Sequence, residues 1–478
     1  MAVKVIEHLS VEERKAAGKQ ARVRTPLSAH TGWEPAGDRL DPVKLLEEQN
    51  ATREPDLVPV RHGRMMFSPF TFYRGAAKIM AADLADTPTA GLDVQLCGDA
   101  HLSNFGLFAS PERTLLFDVN DFDETLPGPF EYDVKRLAAS FTIAALNNGF
   151  GKADARSATM ASVAAYREAM AGFAGMRTLD VWYARLAEDE LRTAFRAANR
   201  VAKGSKQAKQ AKKLTKRALK NASKAHTRDS LQALSKLGEM TDGRYRIASM
   251  QPVVVPAREL AATYGISADQ LQEVITRQFR KYRATLEDDR RELLERFEIV
   301  DMARKVVGVG SVGTRAFILL LQGRDAGDPL FLQVKEATAS VLEDHLPQSQ
   351  YRQPGERVVQ GQRLMQAASD IFLGWSRGEQ ANRYYYWRQL RDMKGSAEVE
   401  SMPPQALEFY AGLCGWTLAR AHACSGDPVA ISSYLGKDDR FDRSITDFSE
   451  RYARQNERDY AEFTGAIRGG RIIALEGV

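Results

Sequence analysis

Apolar positions divide this chain into strand-like and helix-like stretches. Two short apolar runs, Phe105 to Phe108 and Thr114 to Val119, flank Ala-Ser-Pro-Glu-Arg, and this pattern predicts a β-hairpin. Val134 to Leu146 and Ala155 to Phe173 repeat apolar residues at helical spacing. Ser267 to Phe297 is a long charged pattern with Leu271, Val274, Phe279, Tyr282, Leu286 and Leu293 inside it, so residues 134 to about 300 read as mainly helical. Strand character then returns in Arg315 to Leu321 and Leu330 to Lys335, which bracket a turn region from Gln322 to Pro329. A helical segment, Arg357 to Ala368, leads to two further strand-like segments, Asp370 to Trp375 and Tyr384 to Met393. The helix predicted over Pro404 to Cys424 sets Leu407, Tyr410, Leu413, Cys414, Thr417, Leu418 and Ala421 along one stripe. The order of elements is that of an α+β chain, and no internal repeat is visible.

Composition narrows the class without choosing a function. A chain of 478 residues has room for two or three domains, and 44% apolar with 27% charged residues is the balance of a soluble protein. No run approaches the roughly eighteen apolar residues of a membrane span. Met1 to Arg24 lacks the apolar core of a signal peptide, so a cytoplasmic location is expected. Cys97, Cys414 and Cys424 have neither metal-ligand spacing nor a disulfide framework, and Cys97 reads as a buried strand thiol. The seven histidines are scattered, which argues against zinc, and the lack of a G-x-S-x-G elbow argues against a Ser-His-Asp hydrolase.

The densest chemistry lies in Gly98-Asp-Ala-His-Leu-Ser-Asn-Phe-Gly106 and in the acidic knot Asp118-Val-Asn-Asp-Phe-Asp-Glu124. Asp99 and Asn104 are five apart, the offset between the catalytic aspartate and the metal-binding asparagine in H-R-D-x-x-x-x-N. Phosphoryl transfer needs one carboxylate to orient the attacking hydroxyl, plus an amide oxygen and a second carboxylate to hold magnesium on the nucleotide. Asp99 fits the first role, and Asn104 with Asp121 the second, provided that the hairpin folds the two metal ligands back together. Asp123 assists a second metal or stays solvated, and Asp118 is structural on its strand. The bland alternative makes Asp99 and Asn104 turn residues capping local backbone. An EF-hand is excluded because Phe122 occupies a ligand position and the required glycine is missing.

A glycine run, Gly308-Val-Gly-Ser-Val-Gly313, precedes the strands that end in Lys335. A Rossmann site would require a helix immediately after the last glycine. A β-rich run follows instead, the order in which Gly308, Gly310 and Gly313 cover phosphates and Lys335 contacts them.

Gly98-Asp99-x-His101-x-x-Asn104, then Asp121-Phe-Asp123, then Tyr132-Asp133 opening a helix, is similar to the core of aminoglycoside phosphotransferases and related small-molecule kinases. The resemblance implies a bilobal protein-kinase-like fold, with ATP and Mg2+ as cofactors. It implies catalytic roles for Asp99 and Lys335, a loop-shaping role for His101, metal ligation by Asn104, Asp121 and Asp123, and a helix-anchoring role for Asp133. Glu356 is the first candidate to pair with Lys335 and Glu343 the second, and Leu390 to Lys394, with Leu390 and Met393 against the nucleotide, would be the hinge between lobes. Cys97 stands where these kinases place a histidine. Because the glycine run and lysine follow the catalytic motif, and because Leu418 to Ala423 resembles the helix that ordinarily precedes it, the expected fold is circularly permuted with a large helical insertion. Over its whole length, including Arg64 to Gly75 and Arg357 to Gln366, the chain more closely resembles an uncharacterised bacterial family, domain of unknown function 2252, which supplies no activity.

The expected organisation is an N-terminal arm over 1–60, a catalytic and metal-binding part of the large lobe over 61–145, a helical insertion over 146–300, a small nucleotide-binding lobe over 301–396, and C-terminal helices over 397–478. Within the insertion, residues 199–228 hold eleven Lys and Arg and no acid, so a helix would display them as a stripe. A solvated face is the plainer reading; polyanion binding or attraction of an acidic acceptor are the others, and the segment has no aromatic residue to stack on bases. Arg61, Arg64 and Arg74 either grip phosphate or form surface salt bridges. The expected function is transfer of the γ-phosphoryl group of ATP to a hydroxyl of an unidentified, small-molecule acceptor. A protein acceptor, AMP transfer on the same fold, and a nucleotide-binding sensor with little turnover are the alternatives.

Overall fold

The computed structural model describes residues 8–193, 225, 227–241, 244–263, 265, 267–306, 308–379, 382–390 and 393–477. The basic stretch 199–228 therefore falls almost wholly outside the described residues, as do Arg391 and Asp392 of the expected hinge. The chain is a mixed α+β protein, with 52% helix and 16% strand among the described residues. Among the described residues no helix is long and apolar enough to cross a membrane.

The strands in chain order are β1 (Asp93–Leu96), β2 (Phe105–Ala109), β3 (Leu115–Val119), β4 (Leu126–Pro129), β5 (Leu186–Ala187), β6 (Gly238–Thr241), β7 (Arg244–Ile247), β8 (Val254–Pro256), β9 (Glu298–Lys305), β10 (Ala316–Gln322), β11 (Pro329–Glu336), β12 (Gly374–Arg377), β13 (Tyr384–Gln389) and β14 (Gly395–Ser396). Six of them form an antiparallel sheet in the order β12-β13-β11-β10-β9-β8. The apolar runs of β10 and β11 are continuous because both faces of this sheet are covered. Leu319, Leu321, Leu332 and Val334 pack with Leu271, Ile275 and Phe279 of the helix Ala268–Arg283. On the other face, Ile318, Leu320 and Phe331 pack with Ala233, Leu234 and Leu237 of the helix Ser230–Leu237.

The other half is built around the helices Phe130–Asn147, Lys152–Ala174, Pro404–Ala423 and Arg440–Arg468. The Pro404–Ala423 helix approaches its neighbour so closely that a Cβ on Gly415 would lie 2.1 Å from the carbonyl oxygen of Ser162. The expected hairpin forms as β2 and β3, with Phe105 opposite Val119, inside a sheet of order β14-β2-β3-β5; β1 and β4 form a separate ladder.

Two features depart from the periodicity. The stretch expected to be mainly helical up to residue 300 also contains the β6–β7 hairpin, and its β8 becomes an edge of the large sheet. The long pattern Ser267–Phe297 is two helices, Ala268–Arg283 and Asp288–Leu294. The break lies where Thr285 Oγ1 donates to the carbonyl oxygen of Tyr282, which turns the chain toward β9. The N-terminal arm packs on the rest of the molecule. Its helix Val11–Arg24 packs on Pro428–Leu435, with Gly18 at the contact, and Glu54 N donates to Gly313 O at 2.7 Å.

Candidate active site

The site begins where β1 ends. Gly98 has φ +82°, and a Cβ there would lie 2.1 Å from Glu124 O, so only glycine allows the turn. Asp133, in the first turn of the helix Phe130–Asn147, accepts from Cys97 N at 2.7 Å and from Gly98 N at 3.0 Å. It also receives His422 Nε2 at 3.1 Å, and the other nitrogen of that ring is 2.9 Å from Tyr166 Oη. The helix Pro404–Ala423 thus ends against β1, where Ser425 Oγ accepts from Gln95 N at 2.9 Å.

This scaffold fixes Asp99. One carboxylate oxygen, Oδ1, takes Arg136 Nε at 2.8 Å and lies 2.7 Å from Nη2. The other, Oδ2, has His101 Nε2 at 3.8 Å, beyond hydrogen-bonding distance. Arg136 is held in turn by Tyr73 O at 2.9 Å and lies 3.9 Å over the Tyr73 ring. Burial raises the Asp99 pKa, against the opposing pull of Arg136 and Arg74. Burial, with the charges of Arg74 and Arg136, holds the His101 imidazole well below its usual pKa, so it is neutral at pH 7. His101 N donates to Asp99 O at 2.7 Å, and Asn104 Nδ2 donates to the same oxygen at 2.7 Å, leaving the Asn104 amide oxygen available.

The hairpin returns the chain to Asn104: Asn120 N donates to Asn104 O at 2.8 Å, so Asp121 follows immediately beyond the ladder. Lys335 reaches the acidic knot from β11. Its ammonium bonds to Asp123 Oδ2 and lies 3.7 Å from Asp121 Oδ2. Tyr386, opposite Lys335 in the β11–β13 register, donates its hydroxyl to Asp123 Oδ1 at 2.7 Å. Burial works against the Lys335 charge, but Asp121 and Asp123 together raise its pKa. Burial raises Asp121, with Asp123 adding to the effect, whereas for Asp123 the burial effect is outweighed by Lys335 and Tyr386 and its pKa falls.

A cleft of about 400 Å³ lies between these groups and the glycine run. Gly308, Val309, Gly310 and Ser311 line it together with Arg74, Asp99, His101, Asn104, Asp121 and Asp123. The run connects β9 to β10. Gly308 and Gly313 have φ +68° and +90°, and a Cβ on Gly310 would lie 3.0 Å from Arg74 O. The N-terminal region ties this loop down: Arg64 Nη1, from the helix Val58–Met65, donates to Gly308 O at 2.6 Å, and Arg53 Nη1, from the bend before it, donates to Val312 O. Gly313 itself does not line the cleft, but it packs against Arg53, which does.

Four candidates lie elsewhere. Glu356 makes no ion pair with Lys335, which pairs with Asp123 and Asp121; the register of β11 aims the lysine at the knot. Glu343 instead lies 3.8 Å from Arg357 Nε. Leu390 packs with Ile318 and Phe331, and Met393 with Ala109 and Leu115, so neither lines the cleft. Both oxygens of Asp123 are occupied by Lys335 and Tyr386, which leaves Asp121 as the more available carboxylate. Arg61 is fully buried and donates to Asn50, Gln49 and Gly75, a structural use. Sequence reasoning missed Arg136, although a charged residue three positions after Asp133 in an apolar helix was a visible signal. It also missed Tyr386, whose role depends on strand register.

Among the described residues no three His, Cys, Asp or Glu side chains form a metal-binding group. A protein cage is therefore absent there, while the Asn104 amide and the Asp121 carboxylate are the hard oxygen donors suited to magnesium, which commonly binds through one or two carboxylates together with substrate phosphates.

No curated protein and no solved structure matches the chain. A family model described as "Uncharacterized protein conserved in bacteria (DUF2252)" matches residues 53–466. With nearly the whole length covered, from the helices over the glycine run to the C-terminal helix, the chain belongs to this bacterial family.

Proposed function

We propose that the protein is an ATP- and magnesium-dependent phosphotransferase with a bilobal kinase-like fold in circularly permuted order. The observation that carries this reading is the meeting of Lys335 with Asp121 and Asp123 beside a cleft that also holds Asp99, Asn104 and the glycine run. In chain order the glycine loop, the lysine strand β11, the helix Pro354–Met365 and strands β12 and β13 follow the catalytic motif; in an unpermuted kinase they precede it.

Asp99 orients the acceptor hydroxyl and takes its proton through Oδ2, the oxygen that Arg136 leaves open. Arg136 holds that carboxylate in one orientation, and Asn104 Nδ2 holds its backbone. Asn104 and Asp121 would hold magnesium, which supplies charge neutralisation on the nucleotide phosphates. Lys335 provides the cation beside them.

A nucleotide sensor is the second reading, favoured by one contact. The Asp99 oxygen bonded by Arg136 shares its negative charge with a guanidinium, which weakens the carboxylate as a base. Incubation with γ-labelled and α-labelled ATP separates the readings. Transfer of γ-label supports the phosphotransferase, transfer of α-label replaces it with AMP transfer, and binding without transfer leaves the sensor.

A further inference from the structure

Every carboxylate at the catalytic end of the cleft has a partner inside the protein. Asp99 is bonded by Arg136, Asp123 by Lys335 and Tyr386, and Glu124 by Val341 N at 2.7 Å. The cations are matched differently. Lys78 pairs with Asp344 at 2.8 Å, but among the described residues the Arg74 side chain has no hydrogen-bond partner and no carboxylate within ion-pair distance, and its Nε is buried without a partner. Its backbone is nonetheless fixed, since Arg61 Nη2 donates to Gly75 O at 2.8 Å and Gly310 abuts Arg74 O. The guanidinium lines the same cleft as Asp99 and His101, and its charge acts on both. Arg74 is only partly exposed, its Nε is shut in without an acceptor, and the planar fork of a guanidinium matches carboxylate and phosphate oxygens.

We propose that the phosphoryl acceptor is an anion, a hydroxyl compound carrying a phosphate or carboxylate group that Arg74 binds beside Asp99. This inference rests on the phosphotransferase reading and deepens it. Lys335 and the metal ligands serve the nucleotide, whereas Arg74 lines the cleft close enough for its charge to act on Asp99, where the acceptor hydroxyl must be. A cationic acceptor would meet Arg74 as a like charge.

The test uses the full chain saturated with magnesium and the β,γ-imido analogue of ATP, so that the γ position is filled. Glycerol 3-phosphate, glycerate and glycerol are then titrated by calorimetry. The expected result is that at least one of the two anions binds tenfold or more tighter than glycerol, and the stronger of the two identifies the group. Arg74→Gln should abolish that preference, and Arg74→Lys should retain part of it. Equal binding of all three compounds, no binding of either anion, or an undiminished preference in Arg74→Gln overturns the proposal; the first two need no variant to fold. The analogue's own titration reports separately on the underlying reading. If the analogue fails to bind in a magnesium-dependent manner, the phosphotransferase reading falls; if it binds and the anion preference is absent, only the acceptor assignment falls.

Discussion

Lys335 makes its ion pair with Asp123, a residue 212 positions earlier in the chain. This contact joins the six-stranded sheet to the acidic knot, because Lys335 belongs to β11 and Asp123 follows β3 directly. Arg357 reinforces the junction by donating to Asp123 O at 2.8 Å and Thr125 O at 2.6 Å.

Replacing Lys335 by Met should leave two neighbouring carboxylates without their counter-charge. The side chains of Asp121 and Asp123 are 31% and 27% exposed, so the expected loss is about 3 kcal/mol, the lower end for breaking a buried pair. Magnesium should then raise the melting temperature of Lys335→Met more than that of the wild type, since the ion restores positive charge. Thermal unfolding with and without millimolar magnesium measures this, and equal shifts would remove Lys335 as the counter-charge.

Asp99→Asn should lower kcat by about 10²–10⁴-fold, the usual contribution of a general base. Affinity for magnesium-nucleotide should stay unchanged, because Asp99 faces the acceptor. Parallel turnover and nucleotide-binding measurements decide it; a loss confined to nucleotide binding would relocate Asp99 to the metal site.

Asp133→Ala should destabilise the protein by about 3 kcal/mol or more. The substitution leaves Cys97 N, Gly98 N and His422 Nε2 without their acceptor in the interior, and each stranded donor costs about 1–3 kcal/mol. Urea denaturation of the two proteins gives the difference. A change under about 1 kcal/mol would mean that water replaces the carboxylate.

Glu124 should impose a pH dependence on stability. Burial raises its pKa to about 7, although Arg357 and Val341 N oppose the shift. The folded protein therefore holds a proton that the unfolded chain has released, so the stabilisation is complete below the unfolded pKa, near 4.5, and is lost as pH rises through about 7. At 1.36 kcal/mol per unit the full effect is about 3 kcal/mol. Glu124→Gln should flatten the decline in stability between about pH 5 and pH 7 relative to the wild type. Parallel slopes in urea titrations would show that Glu124 does not carry it.

The sequence by itself determined the local pieces of the site. The hairpin β2–β3 was legible because two apolar runs flank a turn of suitable composition, and that turn brings Asn104 beside Asn120, the residue before Asp121. The glycine run before two apolar strands was legible for the same reason: backbone conformation and alternation are short-range properties. An anchoring role for Asp133 was implied by the resemblance, while its partners, Cys97 N and Gly98 N, emerge only in the fold.

Tertiary structure decided what those pieces touch. Lys335 takes Asp123 and not Glu356 because the β11–β13 register sets the lysine beside Tyr386, and register is fixed by the packing of both sheet faces. Arg136 reaches Asp99 only because the helix Phe130–Asn147 is pinned against the end of β1. The N-terminal region folds over the glycine loop through Arg53, Arg64 and the backbone of Arg74, contacts that span up to 259 positions and leave no periodic trace in the chain. Side-chain partners across such distances depend on where whole elements settle, and that is set by burial of apolar surface over the entire molecule.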